Sequence, residues 1–152
     1  MKKYIVGLIS DTHGLLRSNA FKHLKGCDVI IHAGDICDDS IISQLSTIAP
    51  VHAVRGNMDT NKKYPVNHLL TICERTFYIL HDLERLDLDP QAAGVDIIVF
   101  GHSHRPESFQ RGAVLYINPG SAGPKREGLP ISLARLHLKN NHLIPEFIEL
   151  SA

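Results

Sequence analysis

The chain predicts an α/β fold of two stacked mixed β-sheets flanked by helices, and three observations carry that expectation. The first third alternates apolar runs with helical patterns, the order that builds a parallel sheet. The remainder is dominated by short β-branched runs separated by turn residues. A length of 152 residues suits a single domain, 1–152, around one core, and no repeat, low-complexity stretch or linker divides it.

Residues 4–9 form a near-continuous apolar run, the composition of a strand covered on both faces. Residues 18–25 carry a short helical pattern, with Ser18 as N-cap and Ala20, Phe21 and Leu24 on one side. A second buried strand is expected over 28–32. A second helix follows over 39–48, where Ile41, Ile42, Leu45 and Ile48 recur at helical spacing before Pro50. Residues 51–54 read as the third strand. Residues 68–73 and 75–80 read as a hairpin with Glu74 and Arg75 at its turn, and a helix is expected within 84–93, interrupted by Pro90. Residues 96–100, 114–117, 132–138 and 143–150 read as strands, the last two joined at Asn140-Asn141. The Gly- and Pro-rich stretch 120–130 reads as a flexible loop.

Sixteen basic residues balance 16 acidic ones, which argues against a broad nucleic-acid or acidic-membrane surface. Three cysteines without a CxxC give neither a disulfide framework nor a thiolate zinc site; they are expected to be small buried side chains in a reducing cytoplasm. No apolar run approaches the ~20 residues of a membrane span, and the run at 4–9 is too short for a signal sequence. A soluble cytoplasmic protein is the expectation.

Chemistry concentrates at the strand ends. Asp11-Thr12-His13, Gly34-Asp35, Gly56-Asn57-Met58-Asp59 and Gly101-His102-Ser103-His104 each follow an expected strand, and His81 follows the run at 77–80. Ligands of an open α/β sheet bind beyond the carboxyl ends of its strands, so these five segments converge on one edge. A lone Asp or His there is ordinarily a turn or cap residue. Carboxylates, an amide and imidazoles together are what a two-metal hydrolytic centre needs. In extended backbone, residues i and i+2 project to one side, so Asp11 with His13, and His102 with His104, are expected to grip one metal or adjoining metals. Gly34, Gly56 and Gly101 leave room for close approach. The mixed donors suit Mn²⁺, Fe, Zn²⁺, Co²⁺ or Ni²⁺ rather than the oxygen-preferring Ca²⁺ and Mg²⁺. His32 reads as a satisfied core histidine or a support for the ligands. His23, His52, His68, His137 and His142 read as surface or packing residues. Arg55 and Arg105 abut the motifs and are the phosphate-contact candidates; Lys125 and Arg126 read as a solvated loop.

With Ser10-Asp11-Thr12-His13-Gly14, His32-Ala33-Gly34-Asp35, Val54-Arg55-Gly56-Asn57-Met58-Asp59, Gly101-His102-Ser103-His104 and Asn118-Pro119-Gly120-Ser121 in this order, the chain resembles the calcineurin-like metallophosphoesterases. More narrowly it resembles the small YfcE-type phosphodiesterases, to which the retromer subunit Vps29 is related. The resemblance implies an αββα sandwich and two divalent metals, most often Mn²⁺. It assigns Asp11, His13, Asp35 and His104 to the first metal, and Asp35, Asn57, His81 and His102 to the second. It implies hydrolysis of small phosphate diesters by a metal-bridging hydroxide, with Asp35, Asn57, His81 and His102 in the catalytic centre. Asp59 is expected either to orient a neighbouring histidine or to cap a turn. Assembly as a dimer or tetramer is also implied.

The chain departs from the family at two places. His-Gly-His is usual at the fourth segment, whereas here it is His81-Asp82-Leu83, which keeps the ligand histidine alone. Larger phosphatases of the superfamily carry a leaving-group acid, a histidine, directly after the motif asparagine; here Met58 stands there. Esters with acidic leaving groups are then the expected substrates. The competing expectation is a Vps29-like protein-binding scaffold. A nuclease ranks last for want of a basic groove.

Overall fold

Alternation along the first strand sets the layers. In β1 (Tyr4–Ile9), Val6 and Leu8 face one side while Ile5 and Ile9 face the other. The computed structural model describes residues 3–60 and 62–151. After β1 come α1 (Ser18–Leu24), β2 (Val29–His32), α2 (Asp39–Leu45) and β3 (Val51–Ala53). The second half supplies β4 (Asn67–Ile72), β5 (Arg75–Leu80), β6 (Ile97–Val99), β7 (Glu107–Arg111), β8 (Val114–Asn118), β9 (Ile131–Lys139) and β10 (His142–Leu150).

Two five-stranded mixed sheets result, in the orders β10-β9-β1-β2-β3 and β4-β5-β6-β8-β7. Strands β1, β2 and β3 are parallel, as are β5, β6 and β8. The inner faces meet over Val6, Leu8, Ile31, Phe77, Ile79, Val99 and Ile117, all wholly buried. The outer face of the first sheet, including Ile9 and Ile30, packs on Ala20 and Leu24 of α1 and Ile41 and Leu45 of α2. The carboxyl ends of β1, β2, β3, β5 and β6 meet at one edge of this sandwich.

The fold class is as expected, but among the described residues the α-helices flank one sheet only. The helix expected within 84–93 is a single 3₁₀ turn, Leu83–Arg85, followed by irregular backbone. Asp82 and Asp89 explain why: their carboxylates accept from the Glu84 amide and from the Gln91 and Ala92 amides, closing local turns instead of a continuous ladder. Leu83, Leu86 and Leu88 of this segment still cover Tyr78, Ile98 and Tyr116.

Other differences are local. Ser18 lies inside α1, whose cap position is Arg17, a residue that makes no side-chain capping bond and turns its Nε to the Gly123 carbonyl instead. Helix α2 ends at Leu45, where Ser46 and Thr47 turn their hydroxyls back to the Ile42 and Gln44 carbonyls. The hairpin turns at Cys73 and Glu74, both with positive φ, rather than at Glu74 and Arg75. Asn140 and Asn141 make the expected turn in the same conformation. Strand β7 was not foreseen because four of its five residues are polar; its Phe109 stacks on Tyr116 at 5.0 Å. Cys27 is buried as expected, whereas Cys37 and Cys73 are exposed, and all three are free thiols. Among the described residues no helix is long and apolar enough to cross a membrane.

Phe77 is the largest side chain wholly enclosed between the sheets. Phe77→Ala is expected to lower the unfolding free energy by about 3–5 kcal/mol, read from urea midpoints. A loss below about 1 kcal/mol would mean that the sheets do not depend on this contact.

Candidate metal centre

The site is built on backbone that ordinary side chains avoid. Asp11, His13, Asp35, His102 and His104 all have φ between 46° and 72°. This left-handed conformation costs about 1–2 kcal/mol for a residue with a Cβ, and it persists only where the surroundings hold it. Here the loop after β1 is zipped to the loop after β2. The amides of Asp11, His13 and Gly14 donate to the carbonyls of Gly34, Asp35 and Ile36, each at 2.9 Å. The Asp11/His13 and His102/His104 pairs are therefore left-handed and not, as expected, extended. Asp11 and His13 still reach one cluster. His104 turns to them, with its ring 5.3 Å from that of His13, while His102 packs edge-on against His81 at 5.2 Å.

Each aspartate binds backbone with one oxygen and faces imidazoles with the other. Asp11 Oδ2 accepts from the Ser10 hydroxyl at 2.7 Å and the His102 amide at 3.1 Å. Asp35 Oδ1 accepts from the Met58 amide at 2.8 Å. Asp11 Oδ1 lies 3.3 Å from His104 Nε2, 3.7 Å from His81 Nε2 and 3.8 Å from His13 Nε2. Asp35 Oδ2 lies 3.3 Å from His81 Nε2 and 3.7 Å from His13 Nε2. His81 Nδ1 donates to the Ala33 carbonyl at 2.8 Å, which directs its Nε2 lone pair at the carboxylates.

Electrostatics follow this geometry. Burial pushes both carboxyls up, but the facing imidazoles and the hydrogen bonds outweigh it, and Asp11 and Asp35 end below the ordinary carboxylate value. Burial pulls His81 down, yet Asp35 and Asp11 hold it above the ordinary histidine value.

These residues fit a divalent cation. Asp11 Oδ1, His13 Nε2 and His81 Nε2 are buried with no hydrogen-bond partner among the described residues. Native proteins seldom leave such atoms bare. Separations of 3.3–3.8 Å are long for hydrogen bonds. They suit donors ranged around an ion about 2 Å from each. Two overlapping triads form: Asp11, His13 and His104, and Asp11, Asp35 and His81. Asp11 is thus the residue common to both triads, whereas Asp35, expected to be the shared carboxylate, belongs to the second.

Asn57 and His102 are exposed, on the wall of a cavity of about 490 Å³ that Arg55 and His81 also line. Arg105 is exposed and lies outside that lining. A cavity of about 510 Å³, lined by Cys37, Asp38 and Met58, contains none of the imidazoles. Lys125 bonds the Leu129 carbonyl within its own exposed loop. His52 stacks on His68, and His137 bonds Glu146.

Asp59 does not orient a histidine as expected. Its oxygens accept from the amides of Cys37 (2.8 Å), Gly56 (2.8 Å) and Ile36 (3.1 Å), clamping the loop after β3 to the loop after β2. Three backbone donors converging on one carboxylate leave it little capacity for a ring. Other supports come from residues of the strand-end motifs. Asn118 donates to the Gly101 carbonyl and to Ser103 Oγ, and Ser121 donates to the Asp11 carbonyl. His32 is the core histidine expected. Its Nδ1 accepts from the Gly34 amide, so Nε2 bears the proton toward Thr12 Oγ1 at 3.0 Å, and Thr12 donates to the Ile36 carbonyl.

Clustered carboxylates and imidazoles at the strand ends of a double sheet define a metallohydrolase type of site. The family model for the calcineurin-like phosphoesterase superfamily domain matches residues 5–141, and the chain belongs to that family. A probable metallophosphoesterase of Methanothermobacter thermautotrophicus is 30% identical over 162 residues, spanning 97% of this chain and 94% of that one. The fold is shared with a structure described as a novel archaeal phosphodiesterase, with a TM-score of 0.83 at 22% identity over 96% of this chain and 99% of that one. It is shared also with zinc-complexed Vps29 of Entamoeba histolytica, at a TM-score of 0.73 and 22% identity over 95% of this chain and 98% of that one.

Burial pushes His32 down from 6.5 to about 4, so it is neutral in the folded protein. Between those pH values the unfolded chain binds a proton that the folded chain does not. Its contribution is whole above pH 6.5 and is lost as pH falls toward 4, by up to about 3 kcal/mol. In chelator, the unfolding free energy of His32→Asn should therefore fall less steeply over that window than that of the wild type; equal slopes would exonerate His32. A second test concerns Gly56, where a Cβ would collide with Asp35 Oδ1. Gly56→Ala should keep its circular dichroism yet bind Mn²⁺ on the order of 10–100-fold more weakly by calorimetry. Undiminished affinity would remove Asp35 from the ligand set.

Proposed function

We propose that this chain is a phosphodiesterase that uses two divalent cations, most readily Mn²⁺, to hydrolyse small phosphate diesters. The single observation behind the proposal is the set of bare, buried ligand atoms on Asp11, His13 and His81 next to a cavity lined by Arg55, Asn57 and His102. In this reading Asp11, His13, Asp35 and His104 hold one cation, and Asp35, Asn57, His81 and His102 hold the other. When bound, the cations supply an acidified water and charge neutralisation for a phosphoryl group.

The chain's own residues do the rest. Ser10, the His102 amide and the Met58 amide fix the carboxylates before any ligand arrives, so no reorganisation is needed at the moment of reaction. His81 is held by Ala33 in the orientation that presents Nε2. Arg55, whose guanidinium makes no hydrogen bond or ion pair among the described residues, is placed to bind a phosphoryl oxygen from the cavity wall. With Met58 at the position where larger phosphatases carry an acid, no side chain there protonates the leaving oxygen. Diesters with acidic leaving groups then react fastest. The family and the free thiols suit a cytoplasmic enzyme.

A Vps29-like scaffold is the second reading. It draws on the fold likeness and on exposed Val66 and Leu69 beside the cavity and on β4.

Purified protein assayed with bis(4-nitrophenyl) phosphate should turn over when Mn²⁺ is supplied and stop with chelator. Asp35→Asn should reduce the rate by more than about 100-fold. Stoichiometric metal binding without turnover by any divalent ion would decide for the scaffold.

A further inference from the structure

We propose that Arg85 is a specificity residue that selects phosphate esters carrying a second anionic group away from the scissile phosphoryl. The inference deepens the phosphodiesterase reading and rests on it for the position of that phosphoryl.

The cavity of about 490 Å³ is larger than one phosphoryl group requires and falls in the size range of small-molecule sites. Its walls differ in character. Arg55, Asn57, His81 and His102 belong to the metal side. Val66 and Leu80 give apolar surface for the body of an ester arm. Arg85 adds a second guanidinium to the same lining. One phosphodiester carries one negative charge, which the cations and Arg55 already address. A further guanidinium is complementary to a further anion.

Arg85 is held there by the segment that departs from the family pattern. Asp82 caps the 3₁₀ turn by accepting from the Glu84 amide at 3.1 Å. The Arg85 amide donates to the Asp82 carbonyl at 3.0 Å. Leu83 and Leu86 on either side pack into the outer apolar layer. The backbone of Arg85 is thereby anchored while its side chain stays 81% exposed. Its Nε lies 3.8 Å from Asp82 Oδ2, too far for a hydrogen bond, so the guanidinium stays available to an anion. No hydrogen bond occupies its terminal nitrogens among the described residues, and that fork matches a carboxylate or phosphate in bidentate fashion.

The probes are ω-carboxyalkylphosphonates with two to five methylenes and the alkylphosphonates that replace the carboxylate with methyl. Affinity for the Mn²⁺-loaded full chain is measured by calorimetry. The wild type should prefer one carboxylate length over its alkyl match by about tenfold, and Arg85→Ala should abolish that preference while leaving the melting temperature unchanged. Arg85→Lys should restore part of it, since charge returns without the fork. A parallel kinetic arm uses 4-nitrophenyl diesters with the same two arms, where the preference appears in the ratio of KM values. Absence of turnover with both diesters defeats the phosphodiesterase reading and leaves the binding arm to decide on Arg85. No preference in the wild type, retention of the preference in Arg85→Ala, or no phosphonate binding at all overturns the proposal.

Discussion

Two carboxylates buried against each other's imidazoles set the terms for the rest of the molecule. Asp11 is wholly buried and Asp35 nearly so; Asp11 presents a bare oxygen, and Asp35 turns its Oδ2 toward the same imidazoles. Charges in such a place are costly unless opposite charge fills the space between them. Hydrogen bonds among the side chains alone do not fill it, because the gaps are too wide. A cation does, and its binding energy then adds to the stability of the fold that shapes the cluster. The left-handed backbone at five of these residues has the same meaning. The fold accepts local strain to aim donors inward, and the zipper between the first two loops, with the Asp59 clamp, keeps it from relaxing.

Much of this architecture was legible in the sequence, for definite reasons. Apolar runs such as residues 4–9 and 96–100 announce buried strands because both of their faces are covered. Glu107–Arg111 was not legible, since an edge strand with one face open to water has the polarity of a loop. The stretch after His81 misled because its leucines resemble a helical stripe, while Asp82 and Asp89 close turns by side-chain bonds that no periodicity records. Convergence of the ligands followed from their common place at strand ends. Their hands did not: a period of two implied extended backbone, whereas Asp11, His13, His102 and His104 adopt the opposite φ. Ser10, Asn118 and Ser121 were visible as motif letters, but their bonds to Asp11 and to the Gly101 loop exist only in three dimensions.

Fold alone does not choose between an enzyme and a scaffold, because the same sandwich serves a phosphodiesterase and a Vps29 at similar identity. The distinction lies in the chemistry of one edge. That edge carries three orphaned ligand atoms, on Asp11, His13 and His81, and left-handed backbone that aims the donors inward. In the segment His81-Asp82-Leu83 the histidine faces the cluster, while Asp82 caps the next turn and lines the adjoining cavity.

Pro145 lies in the middle of β10, the long outer strand of the first sheet, and the ladder with β9 runs through it unbroken. A proline can hold that position only where its missing N–H points away from the ladder. The outward row of donors on β10 is therefore interrupted midway, next to exposed Ile144 and close to exposed Phe147. An uninterrupted edge with those two side chains would be a template for end-to-end accretion of further copies into fibrils. One imino acid thus lets the molecule keep a nine-residue border strand without inviting aggregation.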